Sequence, residues 1–238
     1  MIFKKNEPIV VAQKVEEDKL HIISFVGQER ADILYFLAKI LEQYHDDKGY
    51  RSVLLVDNSN TKDLYHIFDQ QDTGMEEITR NRVTVTKDAI ITTEYAEQFS
   101  YIIYYHGMDA DKEILAESEL VIAQTDYLPA TYTQLKGALD DCEDIHFIFR
   151  DWRSKKVKES YVESEIGISN DKIQMRSIIK ANDADDLAYF NLCHNGKQKL
   201  GKANLSELYT ETLRYFVEKI TGADEKAIQK LLKKSLKY

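Results

Sequence analysis

The sequence predicts a three-layer α/β domain with a mostly parallel central sheet, and three observations carry that reading. Short apolar runs of strand length alternate with helix-period stretches from Lys19 to the end of the chain. Such alternation is the pattern of strands linked by crossover helices that cover both faces of a sheet. At 238 residues, with 43% hydrophobic and 31% charged side chains, the chain suits a soluble protein with one large core. Residues 1–238 are therefore read as a single domain, with 223–238 as a basic amphipathic C-terminal helix.

Taken in order, Ile9–Ala12 after Pro8 is a short strand candidate at the sheet edge, followed by the charged turn Glu16-Glu17-Asp18. Lys19–Val26 is the first core strand. Gly27-Gln28-Glu29-Arg30-Ala31-Asp32 forms a turn, and Ile33, Leu34, Phe36, Leu37, Ile40 and Leu41 repeat with the spacing of one buried helix face. The second strand, Ser52–Val56, ends on Asp57. Asn58-Ser59-Asn60-Thr61 then supplies capping residues for a short helix, Asp63–Phe68.

Residues 69–87 are polar and contain Gly74, which predicts a loop or short helix with little core. Ala89–Thr92 and Tyr101–Tyr105 are strands, with a turn of helix over Glu94–Phe99 between them. Asp109–Glu117 is a helix, and Leu120–Ala123 a strand running into Gln124-Thr125-Asp126-Tyr127-Leu128-Pro129 and a helix over Ala130–Leu139. The strand Ile145–Phe149 follows, then a helix over Tyr161–Ile166 stopped by Gly167, the strand Ile173–Ile179 and a helix over Asp183–Leu192. A turn at Asn195-Gly196 leads to an amphipathic helix, Leu205–Ile220.

Charge and residue usage narrow the function. A formal charge of -9 and a pI near 5.3 argue against nucleic acid as a partner, since a broad footprint on it needs a basic face. Cys142 and Cys193 are isolated, as free thiols in a reducing compartment would be. Six scattered histidines show no metal-ligand spacing. With neither a signal-peptide core nor a membrane-length apolar run, the expected location is the cytoplasm.

The order strand, turn, helix, strand, aspartate from Lys19 to Asp57 resembles the opening of the MinD/ParA family of P-loop ATPases. Aligned through Leu37-Ala38, Phe25 falls on the family's signature lysine and Val26 and Gly27 on its paired glycines. Glu29 falls on the next glycine, Arg30 on the P-loop lysine, and Ala31 and Asp32 on the two threonines. A phosphate loop needs glycines so that backbone N–H groups can wrap the anion, a lysine for the β and γ oxygens, and a hydroxyl for Mg²⁺. Of these, Gly27 and the positive charge of Arg30 remain, while Glu29 sets a carboxylate where a polyanion would sit. Asp57 matches the family's aspartate at the end of the second strand, but Ser59 replaces a second acid often found two places on, and Tyr105 stands where a later strand ends on an acid. Arg150 and Asp151 stand at the family's adenine-contacting Asn-Arg.

The resemblance implies a P-loop NTPase-like fold. With its motifs degenerate, it implies a non-catalytic scaffold or localisation protein with no nucleotide cofactor, related in role to the CpaE and TadZ proteins of pilus assembly. Protein partners and self-association follow from that role. The alternative is a divergent ATPase in which Arg30 replaces the lysine and Asp32 or Asp57 recruits Mg²⁺, with Gly27, Arg30 and Asp57 as its nucleotide-site residues. A partition-type DNA-binding protein is a third reading. In the last helix Ile228, Leu231, Leu232 and Leu236 form one apolar stripe flanked by Lys226, Lys230, Lys233, Lys234 and Lys237. Such a helix either lies on a membrane surface, as the tails of MinD-like proteins do, or docks on the core with its lysines in water.

Overall fold

A computed structural model of the chain describes residues 20–48, 52–69, 73–87, 92, 96–195 and 204–235. The expected strands Ile9–Ala12 and Ala89–Thr92 (all but Thr92), Gly196 of the expected turn, and Leu236 and Lys237 of the last helix lie outside the described residues. Within them, eight strands form one sheet: β1 (His21–Gly27), β2 (Ser52–Asp57), β3 (Glu77–Arg80), β4 (Val83–Lys87), β5 (Phe99–Gly107), β6 (Leu120–Thr125), β7 (Ile145–Trp152) and β8 (Ile173–Lys180). Their order is β3-β4-β2-β5-β1-β6-β7-β8. The β3–β4 pair is antiparallel, and the other neighbouring pairs are parallel. The helices are α1 (Asp32–Lys48), α2 (Asp63–Phe68), α3 (Lys112–Glu117), α4 (Pro129–Tyr132), α5 (Glu159–Ile166), α6 (Asp183–Asn195), α7 (Glu207–Thr221) and α8 (Glu225–Ser235).

Side chains alternate across the sheet and build a core on each face. Ile23, Phe25, Val53, Leu55, Tyr101, Ile103 and Tyr105 join the apolar stripes of α1, α7 and α8 on one side. On the other, Val26, Val121, Ala123, Phe147 and Phe149 meet α4 and α5 through Tyr132, Val162 and Ile166, while Leu54, Val56, Ile102 and Tyr104 form a second cluster. Each such side chain contributes about 1.5–3 kcal/mol on leaving water, so the two-sided burial is what holds the layers together.

Helix ends follow local chemistry. The Asp111 carboxylate accepts from the backbone N–H groups of Glu113 and Ile114 and starts α3, three residues later than the expected Asp109. Ser206 caps α7 by accepting from the Tyr209 N–H, and Gly222, in the left-handed region, ends it.

Two expectations need correction. The polar stretch 69–87 contains the β3–β4 hairpin rather than only loop. Its turn uses Asn81 at φ 57°, and the Thr79 and Thr84 hydroxyls bond across the strands at 3.0 Å. Thr79, Thr84 and Thr86 share one face with Glu77, opposite Ile78, Val83 and Val85, and in so short a pair that polar face hid the edge ladder. The helix expected over Ala130–Leu139 is instead the single turn α4, continued by a 3₁₀ turn at Thr133–Leu135 and broken at Gly137, whose φ is 78°.

The C-terminal helix docks. Ile228 is fully buried, Leu231 and Leu232 nearly so, and all three belong to the cluster that contains the apolar face of α1. Lys230 and Lys233 stay on the solvent side and Lys234 is partly covered. The apolar stripe that a membrane-surface helix would insert into lipid is therefore spent on the core in this fold.

Close approach fixes the glycine that ends β1. Gly27 pairs with Gln124 of β6 at φ 117°, and a Cβ there would fall inside the contact distance of the Gln124 carbonyl oxygen. Gly27→Ala is expected to cost about 3 kcal/mol of stability. Gly167→Ala, also at positive φ but with open space around it, is expected to cost about 1 kcal/mol. Urea unfolding of the two variants checks the ranking.

Candidate functional site

The carboxyl ends of β1, β2, β5 and β6 converge, as they must in a parallel sheet, and the residues singled out in the sequence meet there. Gly27, Arg30 and Asp57 are all at this end, and the structure gives each of them a partner from within the chain.

The turn between β1 and α1 is only four residues long, 28–31. Its Gln28 N–H donates to the Gln124 carbonyl at 2.8 Å and its Arg30 N–H to the Gln28 carbonyl at 2.8 Å. The Ala31 N–H donates to Asp63 Oδ2 at 3.1 Å. From β6, the Gln124 side-chain amide donates to the carbonyls of Gln28 and Arg30, at 3.1 and 3.2 Å. A phosphate loop turns its N–H groups toward an empty centre; here three of them are used within the chain.

Arg30 is nearly buried and points toward carboxylates. Nη1 lies 2.9 Å from Asp186 Oδ1 and 3.1 Å from Asp151 Oδ2, and Nε lies 3.5 Å from Asp32 Oδ2. The guanidinium also stands over the Tyr189 ring, 4.8 Å from its centroid. Asp32 in turn receives Arg150 Nη2 at 3.0 Å, with both side chains fully buried, and Arg150 covers the Tyr209 ring at 4.9 Å. The Asp32 carboxylate and the ring beneath hold the Arg150 guanidinium charged, against the desolvation of its burial. The position equated with an adenine contact thus belongs to an internal ion pair.

Asp57 ends β2 beside Tyr105 in register. Its carboxylate accepts from the Ser59 N–H at 3.0 Å, the Ser59 hydroxyl at 2.6 Å and the Tyr65 N–H at 2.8 Å, so it anchors the start of α2. Burial raises its pKa in spite of these bonds. Asp63, which takes the Ala31 N–H and the Tyr189 hydroxyl at 3.2 Å, is pushed from the ordinary 3.8 to about 6, first by burial and then by the charge of Asp57. Tyr105, in place of an acid, is a buried ring edge-on to Phe25 at 5.9 Å. His106 is buried next to it, takes a contact from Ser24 Oγ at 3.1 Å, and falls to about 4 through desolvation.

As arranged, these residues do not fit a nucleoside triphosphate with Mg²⁺. Three of the four turn N–H groups are engaged, Arg30 is turned into a carboxylate cluster, and Ala31 has no hydroxyl for a metal. Among the described residues no group of three or more His, Cys, Asp or Glu side chains is placed to hold a metal ion, and no helix is long and apolar enough to cross a membrane. Sequence reading missed Asp63, Gln124 and Tyr189. Gln124 could have been found, since a polar residue at the end of an apolar strand faces the turn of its neighbour; the other two are set by how α2 and α6 pack.

No family profile matches the chain, and no curated protein sequence does. Solved structures are similar to it in fold. A plasmid partition protein from Borrelia burgdorferi B31 bound to AMPPNP superposes with a TM-score of 0.54 at 15% identity, over 85% of this chain and 100% of that one. MinD in the MinC:MinD complex from Aquifex aeolicus gives 0.54 at 10% identity, over 86% and 97%. MinD with Mg-ADP from Pyrococcus horikoshii OT3 gives 0.52 at 11% identity, over 87% and 100%. The chain therefore has the three-layer, P-loop NTPase-type fold of the MinD and partition proteins, across nearly their whole length.

The Asp63 shift carries a pH dependence of known sign. A carboxyl whose pKa is about 6 folded and 3.8 unfolded holds its proton more tightly in the native state, so stability falls as pH rises from about 3.8 to 6. Asp63→Asn removes that contribution. Between pH 4 and pH 7.5 the stability of the variant relative to the parent is expected to rise by about 2–3 kcal/mol, read from denaturant unfolding at the two pH values. A constant difference would contradict it.

Proposed function

We propose that the chain is a non-catalytic scaffold or localisation protein that keeps the MinD/ParA fold without ATP hydrolysis. The observation that supports this best is the closed turn between β1 and α1, where the Gln28 and Ala31 N–H groups donate to the Gln124 carbonyl and to Asp63, and the one positive side chain of the turn is held by Asp32, Asp151 and Asp186. An ATPase must release such groups to its substrate and hold a metal beside them. Here the release of Arg30 would take a partner from the fully buried Asp32 carboxylate and leave the more exposed Asp151 and Asp186 facing the anion, and a buried charge that loses a partner is costly.

On this reading the protein works by presenting surfaces to other proteins and to copies of itself, in the cytoplasm, without a nucleotide cofactor. A MinD of the same fold is solved with the protein MinC, which supports a protein partner here. A place in assembling a pilus or secretion machine accords with the resemblance to CpaE and TadZ proteins. The acidic balance of the chain, -9, speaks against nucleic acid as its principal partner.

Calorimetry with ATP and Mg²⁺ on the purified protein, with ADP and GTP alongside, tests the proposal. The expected result is no binding heat at millimolar nucleotide and no rise in melting temperature. A ligand at a hundred times its Kd would stabilise the fold by about 2.7 kcal/mol. Micromolar binding would overturn the scaffold reading and favour an ATPase built on Arg30.

A further inference from the structure

The second loop of the site holds an anion already, and the chain supplies it. Glu29 lies in the turn after β1, and its two carboxylate oxygens face successive backbone N–H groups of the β2–α2 loop: Oε1 accepts from Asn60 at 3.4 Å and Oε2 from Thr61 at 3.2 Å. Gly107, at the end of β5 with φ 64°, forms the floor. A Cβ there would come within 2.7 Å of Glu29 Oε1 and 3.0 Å of the Ser59 Cβ. The carboxylate thus rests in a cradle of bare backbone, the kind of concavity that takes small oxyanions.

We infer that Glu29 is a built-in competitor for a phosphate-type oxyanion at the Asn60–Thr61 backbone pair. This deepens the reading of a closed site and rests on it. Three features argue for displacement rather than a permanent seal. Both bonds are longer than the 2.7–2.9 Å that charge-assisted bonds reach at full strength. Asn60 and Thr61 are exposed and Glu29 is only partly covered, so an ion from solvent can reach the N–H pair. The occupant is also chemically matched to what it excludes, since a carboxylate and a phosphate oxygen pair accept from adjacent N–H groups in the same way. Tethered by a short turn, the carboxylate is present at an effective concentration of millimolar or above, and a free anion at lower concentration loses to it.

The test titrates inorganic phosphate into the parent protein, Glu29→Ala and the isosteric Glu29→Gln, following the Asn60 and Thr61 amide signals by NMR. Thermal melts establish that each variant is folded, and Glu29→Gln keeps the measurement open if Glu29→Ala is not. The expected result is that phosphate shifts both amides in the variants with an affinity at least about tenfold above that of the parent. No shift in a folded variant, or equal affinity in parent and variants, overturns the inference. Because no nucleotide is present, this outcome is independent of ATP binding by the parent, which judges the scaffold reading alone.

Discussion

The buried ion pair between Asp32 and Arg150 is the contact on which the rest of this structure depends. Two fully buried charges are costly to remove from water, and they persist only where each compensates the other. Asp32 also stands in the first turn of α1, where the partial positive charge of the helix start favours a carboxylate. Through this pair α1 is tied to the end of β7, and through the Tyr209 ring to α7. Arg30 extends the same charge network to Asp151 and to Asp186 on α6. A fold of this type has to bring several strand ends and helix starts together at one place. In this chain side chains of opposite charge do so.

That substitution explains why the neighbouring residues look as they do. With the turn after β1 held by Gln124 from one side and Asp63 from the other, the glycines of a phosphate loop are not needed. Gly27 is kept because β6 passes too close for a side chain. Aromatic rings at Phe25 and Tyr105 pack edge to face in the buried core, while Tyr189 and Tyr209 lie under the guanidinium groups of Arg30 and Arg150. A carboxylate at Glu29 takes up exposed donors of the facing loop. Together these contacts engage three backbone donors of the turn and the Arg30 guanidinium from within the chain.

Much of this was legible in the sequence because it is a matter of period. Apolar runs such as Ile102–Tyr105 and the stripe Ile33, Leu34, Leu37, Ile40, Leu41 report burial directly, and the parallel sheet follows. The scarcity of glycines and hydroxyls around Arg30 was equally plain. Period could not report direction: whether Arg30 faces an open centre or Asp151 and Asp186 depends on how α6 packs, and nothing local in Asp183–Asn195 encodes that. The hairpin Glu77–Lys87 stayed hidden because its strands are short and Arg80 interrupts the apolar face of Ile78, Val83 and Val85. In α8 the same stripe of Ile228, Leu231 and Leu232 suits lipid or core, and only the packing against α1 decides between them.

A double-mutant cycle on Asp32 and Arg150 tests most directly whether internal charge holds this site together. Arg150→Met and Asp32→Leu each leave one buried charge alone and are expected to cost about 3–5 kcal/mol. The double variant is expected to cost at least about 2 kcal/mol less than the sum of the two. Costs that add to within about 0.5 kcal/mol would show that the two residues act independently, and would contradict a site organised around their pairing.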